Sequence, residues 1–180
     1  MKMSKRISKQ IVISTGAGIL LLVLYMVIFS FSAQDAEQSG SLSRTVSGKL
    51  VEIVNTLSHR QWSRTVMEQW TDYFEHPIRK LAHFSEYACM GILVHVLWSQ
   101  WMIRGKKLYL LVMIWVALSA AADEFHQLFV PGRDGNFADV CLDTCGGAAG
   151  MLFCLLVEKI FGRCRKKYML RHSKKSRHGS

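Results

Sequence analysis

Three short stretches of the chain hold side chains whose types and spacing suit them to chemistry. In Ile78-Arg79-Lys80-Leu81-Ala82-His83-Phe84-Ser85-Glu86-Tyr87, a helix would put Lys80, His83 and Tyr87 on one face, with Glu86 three residues beyond His83. The second stretch is Asp123-Glu124-Phe125-His126-Gln127, and Arg133 follows it. The third is Ala138-Asp139, with Asp143 one turn later. Ser30, Ser32 and Gln34 form a further polar group near the start of the chain. A histidine beside a carboxylate can act as a general base, so His126 or His83, oriented by Glu124 or Asp139, supplies the types for acid–base work. Arg133 with Lys80 could grip a phosphate. Acidic side chains with His126 and His83 are also able to ligate a divalent cation. Asp123 to Gln127 is not an HExxH pattern, however, and no metal set is assigned. No GxSxG nucleophile elbow is present, and Ser85 points away from its neighbour His83 on a helix. Nothing in the sequence identifies a cofactor.

The elements that must position these groups are membrane helices. Half of the 180 residues are hydrophobic, yet 23 Lys and Arg stand against 13 Asp and Glu, a net charge of +10. Basic residues gather at the ends: Lys2, Lys5, Arg6 and Lys9, then nine between Lys159 and Arg177. Both runs abut long apolar segments, which points to acidic lipid headgroups and away from nucleic acid. Four segments come near the roughly 20 residues needed to cross a bilayer: about 11–31, 78–98, 108–129 and 137–161. The first is too long for a signal-peptide core of roughly 7–15 residues and reads as an uncleaved helix.

The expected fold is therefore all-α: one domain over 1–180, a polytopic four-helix membrane bundle. Arg104, Lys106 and Lys107 mark an inner loop, whereas 32–77 balances Arg44, Lys49, Arg60 and Arg64 closely against acidic residues. Both termini, including the basic tail 162–180, are expected inside; the 32–77 loop and the Pro131-Gly132-Arg133 loop are expected outside. Within the long outer loop, Leu42, Val46, Leu50, Ile53, Val54 and Leu57 form a helical apolar stripe, and Trp62, Val66, Trp70 and Phe74 a second. Each stripe either packs on the spans or lies in the outer headgroup layer. Pro77 fits a helix start.

Along this topology the polar groups converge. At ~1.5 Å per residue most of them lie within roughly 10 Å of the outer boundary. A charge costs about 2.5–3.5 kcal/mol at the centre of a membrane helix and less near the interface, so they must pair or line a wet cavity. As polar glue, Asp139, Asp143, Glu86 and Asp123 would pair with Lys80, Arg133 and the histidines. As a functional pocket, Lys80, Glu86, Asp123, Gln127, Arg133, Asp139, Asp143, Ser32 and Gln34 would bind a ligand. Glue alone would not need so many groups at one end. Gly146, Gly147 and Gly150 with Ala148 and Ala149 let the fourth span approach a neighbour closely. The five cysteines are odd in number and lie mostly in apolar segments, so no disulfide framework is implied. Cys141 and Cys145, one turn apart beside acidic residues, suggest a soft metal site less well than they suggest small packing residues.

Four segments in order resemble the VanZ-like family of bacterial membrane proteins. They are Phe29 to Gln34, Arg79 to Tyr87, Asp123 to Arg133, and Phe137 to Asp143 with Gly146-Gly147. Ala33, where members often carry a second serine, and the cysteines at 141 and 145 depart from the pattern. The resemblance implies a plasma-membrane protein of Gram-positive type, associated with low-level resistance to teicoplanin, a lipoglycopeptide, without remodelling of the cell-wall precursor terminus. That supplies a phenotype, not a mechanism.

Two functions from different classes follow. One is a module that engages a membrane lipid or lipid-anchored ligand at the outer leaflet and reduces lipoglycopeptide access to lipid-linked wall precursor. The other is a membrane-embedded hydrolase or transferase acting on a phospholipid or that precursor, with His126, His83 and Glu124 as catalytic groups. A transporter fits less well, since polarity at one end leaves no midplane site. Ligand identity and oligomeric state are not set by the sequence.

Overall fold

A computed structural model describes the backbone of residues 2–101 and 103–177 and the side chains of 7–35, 37–101 and 103–161. The side chains of Lys2, Lys5 and Arg6, the basic tail from 162 onward and Cys164 lie outside the described residues. Among the described residues five helices follow in order: α1 (Lys2–Ser32), α2 (Ala36–Ser58), α3 (Arg64–Ser99), α4 (Lys106–Gln127) and α5 (Phe137–Arg177). Four of them are long and apolar enough to cross a membrane, over Ile7–Ser32, Arg64–Ser99, Lys106–Gln127 and Phe137–Phe161. The protein is an all-helical, membrane-embedded bundle, as the hydropathy pattern predicts.

Helix α3 packs along all four others, whereas α1 meets α4 at few points. Tyr87, Met90 and Val94 of α3 interlock with Val112, Val116 and Ala120 of α4 and with Leu21 and Ile28 of α1 in one buried core. The α3–α5 seam is built from the small-residue patch. A Cβ on Gly146 or Gly150 would strike the backbone of Phe84 or Ala88, and one on Gly91 the backbone of Gly147. Without side chains between them the two backbones touch, which brings the polar groups of α3 and α5 within reach of one another.

Three expectations change. Pro77 does not start a helix: α3 begins at Arg64, capped by Ser63 Oγ, which accepts from Val66 N–H at 3.4 Å, and continues through the proline. An interior proline costs about 3 kcal/mol in an isolated helix. Here α2 meets the turns before it, where Gly48 lies against Thr71 and Arg44 pairs with Asp72 at 2.8 Å, and the core takes up Tyr87, Met90 and Val94 beyond it. The α2 stripe Leu42, Val46, Leu50, Ile53, Val54 and Leu57 does not pack on the spans, because all six are exposed. What meets α3 is the other face, with Ser43, Ser47 and Val51 buried and Gly48 lying against Thr71. The second stripe stacks on itself, with Trp70 against Trp62 and Phe74 at ring-centroid distances of 6.2 and 5.7 Å, and it borders one apolar groove with Leu50 and Val54 of α2. Helix α4 also ends at Gln127, two residues short of the expected end, because a turn begins at Leu128.

Candidate functional site

At one end of the bundle, where α1 and α4 finish and α5 begins, the polar residues collect. The loop from α4 to α5 sets their positions. Arg133 N–H bonds Val130 C=O at 3.2 Å, with Pro131 and Gly132 between them and Gly132 at φ 73°. Proline followed by a positive-φ residue is the pattern of a type II turn, which glycine adopts without strain. The turn aims Arg133 across the end of α1. Its Nη2 donates to Phe31 C=O at 3.2 Å and its Nε to Gln34 C=O at 3.3 Å. A cation there satisfies carbonyls that a helix end leaves open. Burial pulls Arg133 below its ordinary pKa, and Arg79 adds to this; Asp123, Glu124 and Asp35 oppose it. Asn136 then starts α5, its Oδ1 accepting from Ala138 N–H at 3.0 Å. The same residue's N–H donates to Glu124 Oε2 at 2.8 Å, tying the loop back to α4.

Around a cavity of about 510 Å³ the structure gathers Lys80, His83, Glu124, Gln127, Arg133, Asp139 and Asp143. Lys80 Nζ donates to Asp139 Oδ1 at 2.6 Å and stands at the mouth, about a third exposed. Asp143, one turn deeper on α5, is 1% exposed, and its Oδ1 has no hydrogen-bond partner. The mouth carries Arg79, Lys80 and Arg133 together with Glu75, Asp134 and Asp139, and the floor carries Asp143 and Glu124. His83 Nδ1 lies 3.7 Å from Glu86 Oε2, beyond hydrogen-bonding distance. Glu86 and Gln34 border a neighbouring cavity of about 210 Å³ that Arg133 and His83 share. Ser32 is fully buried with its hydroxyl unpartnered.

Asp123 and His126 turn the other way. Both line an apolar groove of about 790 Å³ between α1 and α4, bordered also by Tyr25, Ile114 and Leu118. The His126 ring lies against Phe29 with centroids 4.8 Å apart. Thus His126 and Glu124, two residues apart on α4, face different compartments. Gln127 Nε2 donates to Asp123 Oδ2 at 3.1 Å, so that one hydrogen bond forms the wall between groove and cavity. Midway along the groove, Trp115 Nε1 donates to the Tyr25 hydroxyl at 2.9 Å, which also bonds Ser119 Oγ.

Among the described residues no three His, Cys, Asp or Glu side chains converge so as to hold a metal ion. Cys141 and Cys145 are exposed on the outer surface of α5. Ser85 bonds Leu81 C=O at 2.7 Å and stays outside the cavity. Sequence reasoning missed Asn136 and Arg79. Asn136 was accessible as an asparagine immediately before an apolar helical run, the preferred N-cap type. Arg79 carried no such signal. Toward the opposite end, His95, 2% exposed, meets Glu158 at 3.2 Å, and no spacing announced that pair.

The family model for VanZ/LLP1 matches residues 17–158, more than three quarters of the chain. The match covers all four spans in whole or large part and every residue of the cavity. No curated protein and no solved structure matches.

Proposed function

The chain belongs to the VanZ/LLP1 family, and from that premise we propose that it binds a phosphate-bearing lipid or lipid-anchored ligand, with the polar end of the bundle at the outer face of a bacterial plasma membrane. The basic loop at Arg104, Lys106 and Lys107 lies at the end remote from the cavity, which supports that orientation by the positive-inside rule. One observation carries the reading. The polar cavity and the apolar groove share a wall at the Asp123–Gln127 hydrogen bond, so an amphiphile finds both of its halves matched side by side. Chains would lie between α1 and α4, and the phosphate would meet Arg79, Lys80 and Arg133 at the mouth. Held there, such a ligand would limit the approach of a lipoglycopeptide to wall precursor at the same leaflet, the physical route to teicoplanin resistance.

The test is photocrosslinking of the purified protein to a phospholipid bearing a photoactivatable chain. Crosslinks are expected on α1 and α4 along the groove, and Arg79→Ala should weaken them with the helical content unchanged. Crosslinks spread evenly over all lipid-facing surfaces would refute the reading.

A second reading has one observation in its favour. His83 borders the cavity, so an imidazole is present beside the phosphate position. As a hydrolase or transferase the protein would use His83, and lipid profiles of membranes with the intact protein and with His83→Ala would differ. Identical profiles would leave binding alone.

A further inference from the structure

The cavity floor holds a buried carboxyl group that the fold does not answer. Asp143 is 1% exposed, and among the described residues it forms no ion pair and its Oδ1 lacks a hydrogen-bond partner. None of the three cations of the cavity pairs with Asp143. Lys80 bonds Asp139, Arg79 lies 3.8 Å from Glu75, and Arg133 holds the carbonyls at the end of α1. Glu124 adds a second carboxylate to the same cavity, with one oxygen taken by Asn136 N–H. A buried carboxylate left unanswered is costly and takes up a proton instead, so the partner that would let this floor ionise is a cation that also donates hydrogen bonds.

The type of cation follows from the acceptors. Calcium needs 6–8 oxygens and magnesium a near-octahedral set, and no three acidic or histidine side chains among the described residues converge in that way. A primary ammonium brings three N–H donors and accepts scattered partners. Its distance from the mouth is also set. Asp143 lies four residues below Asp139 on α5, about 6 Å at ~1.5 Å per residue, and Asp139 holds Lys80. A phosphate and an ammonium joined by two carbons span such a gap.

We propose that the cavity recognises a phosphate-linked primary ammonium, the phosphate at Lys80 and Arg79 and the ammonium at Asp143, so that the ligand is an amino phospholipid of the phosphoethanolamine type. This rests on the lipid-binding reading above and gives its ligand a headgroup. The shared wall lets the chains enter from the groove while the headgroup turns into the cavity.

The experiment is equilibrium binding to the purified full chain in detergent, read by native mass spectrometry. The probes are short-chain phosphatidylethanolamine, phosphatidylglycerol and phosphatidylcholine, with soluble phosphoethanolamine as a separate arm. The ethanolamine lipid is expected to bind about tenfold or more tightly than the other two, as one charged hydrogen bond allows. Asp143→Asn should erase that preference. Equal binding of all three lipids by the unaltered protein overturns the ammonium site yet leaves the lipid reading standing, and needs no variant. Binding of none overturns both. Persistence of the preference in Asp143→Asn also overturns it. Phosphoethanolamine competing as well as the lipid would uphold the headgroup chemistry and identify a soluble source.

Discussion

Arg133 and Phe31 are 102 residues apart in sequence, and the guanidinium Nη2 of the one bonds the backbone carbonyl of the other at 3.2 Å. A second bond from the same side chain reaches Gln34 C=O. The arginine thus fastens the α4–α5 loop onto the end of α1 while its flank borders the cavity. One residue both closes a helix and shapes the site.

Arg133→Gln is therefore expected to lower stability before it touches ligand recognition. Two hydrogen bonds from a charged donor are at stake, about 1.5–3 kcal/mol each, less for the part that water can replace. Thermal unfolding in detergent should show an earlier midpoint, with the loss confined to α1 and the loop by hydrogen exchange. An unchanged midpoint would mean that α1 is held by its apolar contacts alone.

Lys80 and Asp139 should show coupling. Removing either charge leaves the other half-buried, whereas removing both leaves neither. Lys80→Met and Asp139→Asn, made singly and together, should give a double-mutant coupling of about 1 kcal/mol, since both side chains are partly exposed. Additive effects would show the 2.6 Å pair to be energetically idle.

Gly150 and Gly18 make a matched contrast. A Cβ at Gly150 meets the backbone carbonyl of Ala88, while one at Gly18 meets nothing within 4 Å. Gly150→Val should drive α5 off α3, destabilising by about 1–3 kcal/mol or more and disrupting the cavity. Gly18→Ala should be neutral or stabilising by up to about 1 kcal/mol through helix propensity. Temperature melts of the two variants decide it, and equal behaviour would contradict the close α3–α5 contact.

The exposed face of α2 makes a prediction about the bilayer. If Leu50 lies in the headgroup layer while Glu52 faces water, cysteines placed at the two positions will differ in reactivity. In proteoliposomes, with native cysteines replaced, Glu52→Cys should react with a charged maleimide about tenfold faster than Leu50→Cys, the size of effect expected when apolar contact removes a side chain from water. Equal rates would leave the stripe in solvent.

Much of this arrangement was legible in the residues, and the failures share a cause. Hydropathy located four spans because a bilayer imposes length, and the depth of the ionisable residues followed from counting along them. Gly146, Gly147 and Gly150 announced a close helix contact because few other roles suit three glycines in a membrane helix. Helix rotation was harder. Periodicity correctly placed Leu42 to Leu57 on one face but could not say what that face meets, and the partner of α3 was the less conspicuous Ser43-Ser47-Val51 face. Likewise, Glu124 and His126 share a depth, yet a turn of 100° per residue sends them to different compartments. Arg133 looked like a free cation because no local pattern reveals a bond to a carbonyl a hundred residues earlier.

Helix α3, 36 residues and about 54 Å long at ~1.5 Å per residue, exceeds a bilayer core of ~30 Å. Its first third is clasped by α2 and its remainder by the bundle, with Pro77 between. A proline there leaves the carbonyl of Tyr73 without its usual partner, so the rod is weakest at that joint. The hairpin is thereby a lever arm whose fulcrum stands three residues from Lys80. The seat of α2 and the placing of Lys80 at the mouth of the cavity therefore depend on the same joint.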